Sequence, residues 1–329
     1  MSKAIPLNDG FYIPVIGLGT YKVSKLCMFE LLSSGLKLPN PDDVENIVKF
    51  AIDAGYRHFD CAWIHENEEA VGKAIKAKII ENVIKREDLF ITTKVWNNFH
   101  RREKVMEKLK LSLREMKLNY VDLYLIHWPI GFNETSKTVP LGDGPGAYSD
   151  VDYLETWKGM EDCLSCGFTR SIGLANFNSE QIDRILRHAK YKPVINQIEV
   201  HPKFSQKKLI QFCKERNIVV SAYYPFGVGE QTGTTRFPET TVLDDNIHKI
   251  GRKYNKSAAQ VVLNYLVSLG LCVVPKSISN LRISEYIKIF DFQLEPEDVV
   301  YLDSCNRNNR ICTMRAFMDH PHYPFRIEY

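Results

Sequence analysis

Short apolar runs alternate with longer amphipathic stretches along most of the chain. The runs fall at residues 15–19, 56–60, 89–94, 121–127, 171–175, 194–199, 219–223 and 271–275. Both alternations within them are largely apolar, so neither face is written for water. That pattern suits parallel strands covered on both sides. The stretches between them read as helices. Met106, Leu109, Leu113 and Met116 recur at spacings of 3, 4 and 3, one stripe of a helix. Ser257 with Gln260 forms a capping box ahead of Val261, Val262 and Leu263. Asp152 with Glu155 gives the related D-x-x-E start before Trp157 and Met160, and Pro41-Asp42-Asp43 opens a helix that carries Val44, Ile47, Val48 and Ala51. Asn8-Asp9-Gly10 between apolar stretches is a hairpin signal.

Eight strands with helices between them predict a closed (β/α)8 TIM barrel. A β-hairpin precedes it and a long C-terminal loop, residues 306–329, follows it. The whole chain, 1–329, reads as one domain. The rival architecture, an open doubly wound sheet, announces its dinucleotide site with G-x-G-x-x-G after the first strand. Here Gly17-Leu18-Gly19-Thr20-Tyr21 runs into Lys22, so the third glycine is missing.

Charge narrows the function. A net charge of +3 is too small to imply nucleic acid or an acidic membrane surface. There is no run of 18 apolar residues to span a bilayer, and residues 1–9 lack an apolar signal-peptide core, so a cytoplasmic protein is expected. Eight cysteines show no disulfide framework, and Cys163-x-x-Cys166 has no second pair to complete a metal site. His320-Pro321-His322 lacks further ligands, so no metal is expected.

Barrel enzymes gather their chemistry at the C-terminal ends of the strands. Strand two ends at Asp60, strand three at Lys94 and strand four at His127, each after an apolar run. Buried charges pair or shift their pKa, and Asp60 with Lys94 would make such a pair.

At these residues the chain resembles the aldo-keto reductases. The motifs are Gly17-Leu18-Gly19-Thr20, Gly55-Tyr56-Arg57-His58-Phe59-Asp60-Cys61-Ala62, and Leu125-Ile126-His127-Trp128-Pro129. Ser171-Ile172-Gly173-Leu174-Ala175-Asn176-Phe177-Asn178, Asn196-Gln197-Ile198-Glu199 and Val274-Pro275-Lys276-Ser277 follow in order. The ending, Asp319-His320-Pro321-His322-Tyr323-Pro324-Phe325, is similar to the steroid and aldose reductase branch.

The resemblance implies NADPH-dependent reduction of aldehydes or ketones by an Asp, Tyr, Lys, His tetrad. Asp60, Lys94 and His127 match three members. The tyrosine place, five residues after the aspartate, holds His65, and Asn67-Glu68 downstream stays in step. The family tyrosine gives a proton to the developing alkoxide. Histidine can do so as imidazolium, and neutral imidazole with Nε2–H could still polarise the carbonyl, but a nearby Lys94 cation with burial opposes the charged form. Slow or restricted reduction, favoured by acid, is therefore expected. A chain that binds NADPH without useful turnover is the alternative.

For the cofactor, the resemblance implies Gly19 and Thr20, with Asn176 and Gln197 on the nicotinamide carboxamide and Tyr223 stacked on its ring. Lys276, Ser277 and Arg282 would grip the adenosine 2′-phosphate, favouring NADPH over NADH. Glu285 would touch adenine. Ala175, Tyr224 and Tyr286 depart from the usual serine, serine and asparagine. Tyr21, Trp96 and Trp128 match substrate-wall positions and imply an apolar or aromatic carbonyl substrate. Residues 25–40 lengthen the connection after strand one. A monomer is expected by analogy.

Overall fold

A computed structural model of the chain describes residues 3–21, 41–135, 147–227 and 241–329. The lengthened connection, residues 25–40, lies outside the described residues.

The chain opens with the hairpin of β1 (Ala4–Pro6) and β2 (Tyr12–Pro14), paired antiparallel. Gly10 turns it at φ 93°, a conformation that disfavours any side chain. Leu7 and Ile13 pack with Phe90, Leu123, Val194 and Ile195, so the hairpin plugs the N-terminal mouth of the barrel. Asn8 fastens it there, with Nδ2 donating to the Pro193 and Asn217 carbonyls at 2.9 and 3.1 Å.

Eight parallel strands then form one sheet. They are β3 (Leu18–Gly19), β4 (His58–Asp60), β5 (Phe90–Val95), β6 (Val121–Ile126), β7 (Thr169–Ala175), β8 (Ile195–Glu199), β9 (Val219–Tyr223) and β10 (Cys272–Val273). Each pairs with its sequence neighbour. A parallel bridge between Ile16 and Val273 closes the ring, reinforced by Gly17 N–H to the Val273 carbonyl at 2.9 Å. The first and last strands are shorter than their apolar runs because the seam is a single bridge rather than a full ladder.

The helices between them include α1 (Pro41–Asp53), α2 (Glu68–Ile80), α3 (Arg102–Met116), α4 (Tyr153–Ser165), α5 (Ser179–His188), α6 (Lys207–Glu215), α7 (Asp245–Tyr254), α8 (Ala258–Ser268), α9 (Asn280–Tyr286) and α10 (Pro296–Ser304). The Ser257–Gln260 capping box forms in full. Asp152 caps α4 by accepting from Leu154 N–H at 2.9 Å, while Glu155 turns away to the Arg102 N–H. On α3 the buried edge is Val105, Leu109, Leu113 and Met116; Met106 packs at the margin. Gly72 lets α2 cross α3 closely, since a Cβ there would lie 2.2 Å from the Met116 carbonyl oxygen. Cys163 is buried in the core and Cys166 is the exposed cap of α4. Among the described residues no helix is long and apolar enough to cross a membrane.

Candidate active site

The C-terminal ends of β4 and β5 carry Asp60 and Lys94, and His127 follows β6 directly. Lys94 Nζ lies 2.7 Å from Asp60 Oδ2 and donates to the Cys61 carbonyl at 2.8 Å. The lysine side chain is 2% exposed and the aspartate 8%, so this is a desolvated pair. Gln197, on β8, reaches across the barrel and donates from Nε2 to Asp60 Oδ1 at 2.9 Å. Both carboxylate oxygens are therefore used, which is the condition for burying one without a large penalty.

His65 enters from one turn of 3₁₀ helix, Trp63–His65, immediately after β4. Glu66 stops the turn in the left-handed region at φ 53°. The His65 ring is buried, edge-on to Tyr21 at 5.0 Å and 6.3 Å from the His127 ring. Trp96 packs edge-on to His127 at 5.0 Å. Nδ1 of both histidines is enclosed with no hydrogen-bond partner among the described residues. Burial holds His65 well below the usual histidine range, and the charges of Lys94, His127 and Lys276 push it the same way. Burial, then Lys94, does the same to His127. At neutral pH the site thus presents two uncharged imidazoles beside an ammonium–carboxylate pair.

On the other side, Asn176 sits at φ 62° and donates from Nδ2 to the His127 carbonyl at 2.9 Å. Its Oδ1 accepts from the Tyr223 hydroxyl at 2.7 Å. Gly19 N–H donates to the Pro275 carbonyl, and the Thr20 hydroxyl to the Asp60 carbonyl. A cleft runs between Gly19, Thr20, Tyr21 and Val48 on one side and Lys276 and Ser277 on the other. Lys276 Nζ lies 5.5 Å from the Tyr21 ring, and Ser277 is buried. Arg282 and Glu285 stand apart from the central cluster on α9, the arginine exposed and the glutamate half-buried.

The structure therefore brings Asp60, His65, Lys94 and His127 together with Gln197, Asn176 and Tyr223. Tyr21 packs against the His65 ring and Trp96 against that of His127, with Trp128 in the same apolar cluster as Trp96. Trp96 and Trp128 join Ile130, Phe132, Phe317 and Tyr323 in one apolar cluster, the last two from the C-terminal loop. Sequence reading gave no role to Glu199, although it closes a quoted motif at a strand end. The carboxylate is fully buried and holds two backbone N–H groups of that loop.

Buried neutral histidines make stability depend on pH. Burial lowers His58 to about 4, His100 to about 3 and His320 to about 4, with His65 and His127 also depressed. The unfolded chain binds these protons near pH 6.5 and the folded chain does not. Stability is therefore complete above about pH 6.5 and is lost as pH falls toward the folded values. Each tenfold difference in proton affinity is worth about 1.4 kcal/mol. Urea titrations at pH 7 and pH 5 are expected to show unfolding easier by several kcal/mol at pH 5. Equal midpoints and slopes would mean the rings are already paired or hydrated.

A closed α/β barrel with an ion pair and two imidazoles at its strand ends defines the class, a barrel enzyme with acid–base groups at its C-terminal face. Residues 15–307 match the aldo/keto reductase family model, and the chain belongs to that family. It is an oxidoreductase by that membership. It is 40% identical to prostaglandin F synthase 1 of Bos taurus over 332 residues, covering all of this chain and 99% of that protein. It is 40% identical to estradiol 17 beta-dehydrogenase 5 of Mus musculus, covering 99% of this chain and 98% of the relative. The fold is similar to the crystal structure of Bombyx mori aldo-keto reductase AKR2E4 in complex with NADP. There the TM-score is 0.88 at 39% identity, with 98% of this chain and 99% of that one covered.

Proposed function

We propose that the chain reduces aldehydes or ketones with NADPH, and that His65 holds the place of the proton donor. The observation that carries this reading is the buried Lys94–Asp60 pair at 2.7 Å, facing the same mouth as His65 and His127. Such a pair is costly to bury and needs a chemical reason.

The residues fit the cofactor that the family implies and that the Bombyx relative was solved with. Lys276 and buried Ser277 flank a cleft whose other wall is Gly19, where a Cβ would lie 3.3 Å from the Val274 carbonyl oxygen. Cationic and hydroxyl donors there suit a phosphate dianion, and the exposed Arg282 on α9 would add a second cation. Asn176 and Gln197 offer amide groups beside Tyr223, as a carboxamide-bearing ring requires. NADPH, when bound, supplies the hydride. Ala175 removes one hydroxyl from that set.

The chain's own residues then handle the oxygen. His127, neutral, orients the carbonyl between the walls formed by Trp96 and Trp128. The Lys94 cation stabilises negative charge as it develops on that oxygen. His65 completes the alcohol when protonated. Because burial and Lys94 oppose that form, only a small fraction of molecules is competent near neutrality. The rate is therefore low and rises as pH falls.

The test is NADPH oxidation with aromatic aldehydes from pH 8 to pH 5, with NADPH binding followed by fluorescence. Turnover is expected to rise by up to about tenfold per pH unit through that range, since a single protonation controls it. Tight NADPH binding with no turnover at any pH would overturn the reductase reading and leave a nucleotide-binding protein.

A further inference from the structure

The C-terminal loop has little regular structure, yet it forms part of the substrate mouth. Phe317 and Tyr323 pack on the cluster of Trp96 and Trp128, and the Cys312 side chain is hydrogen-bonded to that of Tyr223. Something must fix this segment, because a loop without a ladder has few backbone bonds to hold it.

Glu199 ends β8 and is fully buried. Its Oε1 accepts from Ile311 N–H and its Oε2 from Cys312 N–H, both at 2.7 Å. His201 Nε2 lies 3.1 Å from Oε1 and orients the group from behind. On either side of these bonds the loop is pinned again. Arg307 and Asn309 donate to the Lys203 carbonyl at 3.0 and 3.2 Å. The Arg310 guanidinium stacks 3.5 Å from the Phe325 ring centre and 4.5 Å from that of Phe204. The Tyr323 hydroxyl donates to the Thr313 carbonyl at 2.6 Å.

We propose that Glu199 is the positioning residue of the substrate mouth. It does not touch substrate. It tethers residues 311–312 to the end of β8, and so fixes where Cys312, Phe317 and Tyr323 stand and how bulky a carbonyl compound the mouth admits. This inference rests on the reductase reading for the word substrate, but the tether itself does not.

The variant is Glu199→Gln. It keeps size and shape but replaces one carboxylate oxygen by an NH2 group, which then faces a backbone N–H, donor against donor. Two measurements are made on the full chain with NADP⁺ present, which cannot reduce the carbonyl ligands. The first is amide hydrogen exchange at Ile311 and Cys312. The second is the binding of benzaldehyde and of a fused-ring ketone, followed by quenching of tryptophan fluorescence. In the wild type both amides are expected to be protected. In the variant their exchange accelerates about tenfold or more, as expected for a lost charge-assisted hydrogen bond. The ketone Kd changes about tenfold while the benzaldehyde Kd changes much less, a split that general loss of structure would not give.

Rapid exchange of both amides in the wild type overturns the tether. So do unchanged protection in the variant, or equal shifts for the two ligands. Should the glutamine chain not fold, Glu199→Asp is read the same way, since its carboxylate stops one carbon–carbon bond short of the loop. Absence of turnover with every carbonyl compound would sink the reductase reading alone, because neither measurement requires turnover.

Discussion

Replacing His65 with tyrosine is expected to raise carbonyl reduction at pH 8 by about 10²–10⁴-fold, the usual worth of a well-matched general acid. The cause is the protonation state. His65 is held well below the usual histidine range by burial first and Lys94 second, so the acid form is scarce at pH 8. A phenol is protonated at every pH from 5 to 8 and needs no such rare form. The Lys94 cation that penalises an imidazolium would favour loss of the phenolic proton instead. The turn that carries residue 65 should tolerate the exchange. It is built from backbone bonds, His65 N–H to the Ala62 carbonyl and Glu66 N–H to that of Trp63, both at 3.0 Å. The gain is expected to shrink toward pH 5, as the acid form of His65 becomes less scarce. Stopped-flow NADPH oxidation of both chains across this range decides the matter. An unchanged rate at pH 8, with NADPH binding intact, would show that proton supply does not limit the reaction.

Lys94→Met is expected to destabilise the fold by about 3–5 kcal/mol, the cost of leaving one member of a buried pair alone. Asp60 would keep Gln197 at 2.9 Å but would lose its cation in a site closed to water. The double variant Asp60→Asn with Lys94→Met removes the orphaned charge and should regain much of that loss. A further sign separates electrostatics from packing. Lys94 is the second cause of the His65 depression, so in the double variant the acid limb of turnover should move to higher pH. Urea denaturation gives the first quantity and the pH profile gives the second. A loss below about 1 kcal/mol would mean that water already solvates Asp60.

Much of the fold was legible in the chain because its cause is local. Apolar runs on both alternations wrote parallel strands, and Ser257–Gln260 wrote a helix start that formed as read. Pairing of Asp60 with Lys94 could be expected from their places at successive strand ends. Other features were not legible. Gln197 was read for a carboxamide, and its contact with Asp60 links residues 137 positions apart. Arg282 matched a phosphate-binding motif, yet only the fold showed its side chain exposed on α9. The Glu199 contacts with Ile311 and Cys312 left no periodic trace, because a single carboxylate binding two backbone amides has no spacing to repeat.

The sequence by itself determined the strand and helix order, the family, and the histidine at position 65. These depend on residue identity and on spacing within one element. Tertiary structure alone decided how far His65 is shielded, which charges surround it, and what holds the C-terminal loop over the mouth. Those are set by closure of the barrel, which brings distant residues together and excludes water from between them. Proton affinity and loop position follow from that exclusion, and no single segment of the chain encodes it.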